Sequence, residues 1–171
     1  MNAKLLLLLS TALVVPVSAQ SPSSGGLTPT SLRCEYASDP QGVDVAKPRL
    51  FWRVESAERG QRQTAWRVLV ATSPEKLSAD SGDLWDSGRT ESDETAHIPY
   101  SGAALASSQQ VFWKVRVWDR AGRPSAWSRP ATWTMGIMDP RDWKGIWIGA
   151  PGETETLLLR HGFTVRRGLR R

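Results

Sequence analysis

Between Leu32 and Met135, apolar residues return at every second position in short runs, and turn-forming residues separate the runs. A period of two places alternate side chains on one face of a strand, so each run reads as a half-buried β-strand. In LRCEY, residues 32–36, Leu32, Cys34 and Tyr36 share a face. In RLFWRV, residues 49–54, Leu50, Trp52 and Val54 do; in TAWRVLVA, residues 64–71, Trp66, Val68 and Val70 do. VFWKVRVWD, residues 111–119, puts Val111, Trp113, Val115 and Val117 on one side and Lys114, Arg116 and Trp118 on the other.

Further short strands are expected around Trp85, near His97 and Ile98, and through ATWTM, residues 131–135. Ser87-Gly88 and the Gly122/Pro124 stretch supply turns between them. SPEKLSAD, residues 73–80, suits one helical turn, and no helical period persists beyond two turns. Seven short strands without an internal repeat predict an all-β fold, an antiparallel β-sandwich of fibronectin type III or immunoglobulin kind.

Such a core must hold by burial alone, because the single cysteine, Cys34, leaves no intramolecular disulfide to form. Cys34 alternates with Leu32 and Tyr36 and is expected inside. The net charge of +5 suggests an anionic partner only until its position is read. From Gln20 to Ala150 there are 16 Lys and Arg against 15 Asp and Glu. The excess lies in Arg160, Arg166, Arg167, Arg170 and Arg171, outside the strand pattern, whereas a nucleic-acid module carries its basic residues on one folded face. No nucleic-acid partner is expected.

At the other end, Lys4, the apolar run from Leu5 to Val15 and the small residues of Val17-Ser18-Ala19 have the layout of an export signal. Ser10, Thr11 and Pro16 interrupt a run already short of the ~20 residues a membrane span needs. Cleavage near Ala19 would release an exported chain, periplasmic or extracellular, with no stable membrane anchor. The expected organisation is a signal peptide over residues 1–19, a flexible Ser/Gly/Pro linker over 20–29, the sandwich over 30–137, and a different segment over 138–171. That last segment is turn-rich, carries Trp143 and Trp147, and ends in what reads as the first strands of another β domain.

Little of this pattern suits catalysis. His97 and His161 stand apart from any metal-ligand spacing. Asp83 and Asp86 flank Trp85, with Glu91, Asp93 and Glu94 nearby, and glycoside hydrolysis does use two carboxylates roughly 5–10 Å apart. All five, however, fall at strand ends or turns, where such groups usually bond locally. The nine tryptophans are the stronger oddity. Trp52, Trp66 and Trp113 lie on apolar faces. Trp118, Trp127 and Trp133, with Lys114 and Arg116, are expected to build an outer face of cations over indole rings. Trp143 and Trp147 are expected to contact a neighbouring domain. A carbohydrate-stacking surface is the alternative use of the same rings.

The ordered set LRCEY, PRLFWRVES, RGQRQTAWRVLVA, GDLWDSGR, IPYSGAAL, FWKVRVWDRAGRPSAWS, ATWTMG and DWKGIWIG resembles the N-terminal part of bacterial α-L-rhamnosidases, large secreted glycoside hydrolases. The resemblance implies a fibronectin type III-like first domain and the entry to a second, often lectin-like β-sandwich. It implies that catalysis by inversion, using an acid and a base carboxylate, belongs to a later (α/α)6 barrel. It carries no catalytic, cofactor-binding or metal-binding residue onto this chain, and no cofactor. The implied partners are the following domains of a parent enzyme, whose substrates would be rhamnose-containing glycosides. Two readings stand at this point: a non-catalytic segment that braces its neighbours, truncated before the barrel, or a free-standing carbohydrate-binding or cell-surface adhesion module.

Overall fold

The structure is a computed structural model and describes residues 26–149 and 158–164. The export signal and most of the linker, and Val165–Arg171, lie outside the described residues.

Eight strands appear in chain order: β1 (Thr28–Cys34), β2 (Arg49–Glu55), β3 (Ala65–Ala71), β4 (Trp85–Asp86), β5 (Thr90–Glu91), β6 (Ile98–Pro99), β7 (Gln110–Trp118) and β8 (Ala131–Thr134). Among the described residues one short α-helix, α1 (Pro74–Ser78), follows β3. All strand pairs between these elements are antiparallel. One sheet runs β1-β2-β6, and the other runs β4-β3-β7-β8 with β5 also on β3. This is the expected sandwich.

The eighth strand is β5, which follows the expected strand around Trp85 and the expected turn at Ser87-Gly88. β4 pairs with Leu69 and Val70, and β5 pairs with Ala65 and Trp66 on the same edge of β3. Between them Gly88 takes a left-handed φ of 62°, which breaks the extended path. Ser87 fills the gap: its N–H donates to the Val68 carbonyl at 3.1 Å, and its hydroxyl accepts from the Val68 N–H at 2.9 Å. The edge of β3 is thereby paired along its whole length.

The two sheets meet over the residues that the period of two selects. Cys34, Leu50, Trp52 and Ile98 face Trp66, Val68, Val70, Val111, Trp113, Val115, Val117 and Trp133 in one apolar cluster. Trp52 and Trp66 cross between the sheets edge to face at 5.8 Å, and Tyr100 and Trp133 do the same at 5.8 Å. The Trp52 indole N–H is satisfied by the Gln63 side chain at 2.9 Å, whose amide in turn donates to the Ser92 and Glu94 carbonyls. A buried polar atom with a partner costs little, whereas one left unpaired costs about 1–3 kcal/mol.

Three expectations need correction. Trp133 is not on the outer face: it is fully buried, because β8 pairs Trp133 directly opposite Val111, and residues paired across two strands share a face. Tyr36 does not point inward with Cys34: Glu35 and Tyr36 take left-handed φ angles of 46° and 68°, which ends β1 and turns the ring out to solvent. The linker also ends earlier than expected, since Leu27 is buried and β1 begins at Thr28.

β3 departs from simple alternation as well. Leu69 and Ala71 on its outer face are buried under Leu77 of α1 and packed by Phe112 and Trp127. The helix stands where expected, opened by Ser73, whose hydroxyl accepts from the Lys76 N–H, and by Pro74 in the first turn. Past β8, Asp139 caps a 3-10 turn at Pro140–Asp142. Residues 143–149 and 158–164 carry no regular structure, and the rest of the stretch expected to open a second β domain lies outside the described residues. An isolated strand pair cannot bury enough apolar area to stand by itself.

Candidate functional site

Two outer faces and the C-terminal segment hold the exposed aromatic residues. On the β4-β3-β7-β8 sheet, Lys114, Arg116 and Trp118 of β7 point away from the core, as their alternation requires. Trp127 lies across them. Arg116 sits 4.3 Å from its ring centre, Lys114 4.7 Å and Arg67 of β3 5.9 Å. The expected cation ladder therefore exists, but it is centred on Trp127. Trp118 has a different cation, Arg89, at 5.1 Å.

Carboxylates close the circuit. Asp86 takes both a 2.8 Å and a 2.5 Å bond from the Arg67 guanidinium, which holds its carboxyl below the usual range. Lys114, itself buried, pairs with Asp80, whose carboxyl is likewise lowered chiefly by that ammonium. Two of the three cations around Trp127 are thus paired with carboxylates, and Arg116 is left stacked on the ring.

The segment carrying Trp127 is fixed by a backbone device. Ser125 and Ser128 donate their N–H groups to the Val117 and Val115 carbonyls. Their hydroxyls accept from the Val117 and Val115 N–H groups, each at 3.1 Å. Pro124–Ser128 thus occupies the part of the β7 edge that β8 leaves uncovered, and an exposed edge open to aggregation is avoided.

The tempting acids have local duties. Asp83 accepts from the Thr72 N–H and hydroxyl and from Lys76. Asp86 also accepts from the Gly88 N–H, and Glu91 pairs with Arg89 at 2.8 Å. Among the described residues no group of three or more His, Cys, Asp or Glu is placed to hold a metal ion. Cys34 is buried, and burial with the neighbouring Glu35 charge pushes its thiol up to about 12, far from a nucleophile's range.

Trp143 and Trp147 project from the C-terminal segment, 61% and 97% exposed. Ile146, Ile148, Leu158, Leu159 and Phe163 are exposed with them. Singly exposed apolar residues are ordinary, but a run of this kind marks a contact surface.

The other sheet carries a cluster that the alternation pattern passed over. On the outer face of β2, Phe51 lies 4.5 Å from Tyr36 and 5.1 Å from His97 between ring centres. The Tyr36 hydroxyl and His97 Nε2 are 2.9 Å apart. Arg49, whose guanidinium donates to both carboxylate oxygens of Glu35, lies over the Tyr36 ring at 5.2 Å. A signal was present: with Leu50, Trp52 and Val54 inside, Phe51 had to point outward, an aromatic residue on a solvent face.

An antiparallel β-sandwich with a braced outer face and an exposed apolar C-terminal run defines an immunoglobulin-like module. Residues 29–139 match the model of the Rha78A-like, N-terminal immunoglobulin domain, and the chain belongs to that family. It is 45% identical over 122 residues to an α-L-rhamnosidase of Streptomyces avermitilis, covering 71% of this chain and 12% of the relative. An α-L-rhamnosidase of Formosa agariphila is 37% identical over 120 residues, covering 70% of this chain and 13% of its own. Among solved structures, the Streptomyces avermitilis enzyme complexed with L-rhamnose matches with a TM-score of 0.69 at 45% identity, over 73% of this chain and 12% of that one. The Dictyoglumus thermophilum enzyme matches with a TM-score of 0.68 at 35% identity, over 73% of this chain and 14% of that one. The chain therefore spans only 12–14% of the length of the relatives it matches.

Proposed function

We propose that this chain is the non-catalytic N-terminal segment of an exported α-L-rhamnosidase, a module that braces the domains following it. The family match over residues 29–139 carries this reading, together with the small share of each relative that it covers. In the parent enzyme, hydrolysis of terminal α-L-rhamnosyl residues with inversion would belong to a later domain. The exposed run from Trp143 to Ile148 supports the packing role, since it offers apolar area without a core of its own. The following domains are the partners it would cover, and cleavage of the signal near Ala19 would place the product in the periplasm or outside the cell.

The test has two parts. The full chain incubated with an aryl α-L-rhamnoside should release no aglycone above the buffer rate, and measurable turnover would overturn the non-catalytic assignment. Reading the gene past the codon for Arg171 should show a frame that continues into further β and helical domains. An unrelated sequence there would favour a free-standing adhesion or carbohydrate-binding module instead.

A further inference from the structure

The outer face around β2 carries arginines that no carboxylate cancels and that border an open cleft. Arg49 is neutralised by Glu35. Arg53, two positions beyond Phe51 on the same face, has no ion-pair or hydrogen-bond partner among the described residues. Arg33, paired opposite Phe51 on β1, makes only a long 3.4 Å donation to the Tyr36 carbonyl. The two arginines flank an open cleft of about 190 Å³ lined also by Ser31, Tyr36, Phe51 and Thr95.

The backbone around this cleft is costly. The β1–β2 register shifts between Thr30 and Arg33, so that three steps on β1 span two on β2. That bulge contains Ser31 at a left-handed φ of 52° and is what brings Arg33 beside the aromatic floor. Ser31, Glu35, Tyr36 and His97 are four of the seven non-glycine residues with positive φ among the described residues. Such backbone is strained in non-glycine residues, and strained residues concentrate at ligand sites. Ser31 and Tyr36 line the cleft, while Glu35 and His97 hold the rings in place.

We propose that this cleft binds a carbohydrate carrying an anionic group, one pyranose ring lying on Phe51 and Tyr36 and its carboxylate held by Arg33 and Arg53. Arginine offers donors only and matches a carboxylate in a planar, two-bond arrangement, which selects an acidic sugar over a neutral one. Aromatic faces and the Ser31 and Thr95 hydroxyls suit the ring itself. The site does not depend on the bracing role, and it lies on the sheet opposite the tryptophans first considered for sugar stacking.

Calorimetric titration of the full chain with trigalacturonic acid, and with neutral galactotriose as comparison, tests the assignment at low salt. The acidic trisaccharide should bind saturably and about tenfold or more tighter than the neutral one, with affinity falling as salt is added. Arg53→Gln and Arg33→Gln, both exposed and outside the core, should each weaken binding about tenfold or more, and Phe51→Ala should abolish it. Trp147→Ser should leave it unchanged. No saturable binding would overturn the proposal and favour coverage of this face by another domain. Equal binding of the two sugars, competition by sodium sulfate as strong as by the sugar acid, or indifference to the arginine substitutions would overturn it as well.

Discussion

Ser128 and Val115 exchange two hydrogen bonds, one through backbone and one through a side chain. The Ser128 N–H donates to the Val115 carbonyl at 2.9 Å, and the Ser128 hydroxyl accepts from the Val115 N–H at 3.1 Å. That hydroxyl gives its own proton to the Arg129 carbonyl, which leaves its lone pairs free for the strand. A side chain here does the work of a backbone acceptor. Removing it in Ser128→Ala leaves the N–H of the fully buried Val115 unpaired, at a cost of about 1–3 kcal/mol. Urea unfolding should show that loss, and Ser128→Thr should recover most of it. An alanine variant as stable as the parent would mean that the edge of β7 does not need the hydroxyl.

Lys114 and Asp80 present an asymmetric pair: the lysine side chain is 7% exposed and the aspartate 53%. Removing the charge from Asp80 in Asp80→Asn leaves the buried ammonium with a neutral amide oxygen, the Trp127 ring and the positive Arg67 and Arg116. A loss of about 1.5–3 kcal/mol is expected. Lys114→Met keeps the packing against Trp127 and removes the ion that must be desolvated, so its cost should be smaller. Equilibrium unfolding of the two variants gives the order directly, and a more damaging Lys114→Met would show that the charge on Trp127 contributes more than the ion pair.

How far the sequence anticipates this molecule depends on what each residue must satisfy. Val111, Trp113, Val115 and Val117 face the core as their spacing requires, because alternation is a local property of an extended chain. The same rule applied to ATWTM puts Trp133 on one face with Ala131 and Met135, between two threonines, and that is the face buried opposite Val111. Tyr36 escaped that rule: two successive left-handed residues end the alternation, and neither Glu35 nor Tyr36 is a residue type that announces such a backbone. The Tyr36, Phe51 and His97 cluster joins positions far apart in the chain, and only Phe51, outward by parity, betrayed it.

Cys34 offers a direct measure of core integrity. It is fully buried at the end of β1, and burial first, then the Glu35 charge, raises its thiol to about 12. The thiolate is the reactive form, so the native chain at mildly alkaline pH should resist iodoacetamide and aromatic disulfides. One equivalent should react once urea unfolds the chain. Rapid stoichiometric labelling of the native state would show that β1 opens far more readily than its pairing with β2 implies.

Asp83 links the fold to pH. Burial alone would raise its carboxyl, but Lys76, the Thr72 N–H and the Thr72 hydroxyl outweigh that effect and hold it at about 2, from an ordinary value of 3.8. A carboxyl depressed in the folded state binds its proton more weakly there than in the unfolded chain. Its contribution is therefore complete above the unfolded value and is lost as pH falls from about 4 toward about 2. Asp83→Asn should lower the melting temperature at about pH 6 and make little difference at about pH 2, where the parent has lost the same interaction. Thermal unfolding followed by circular dichroism across that range reads the difference. A gap between parent and variant that persists undiminished at low pH would show that Asp83 acts through shape and neutral hydrogen bonding, with no contribution from its charge.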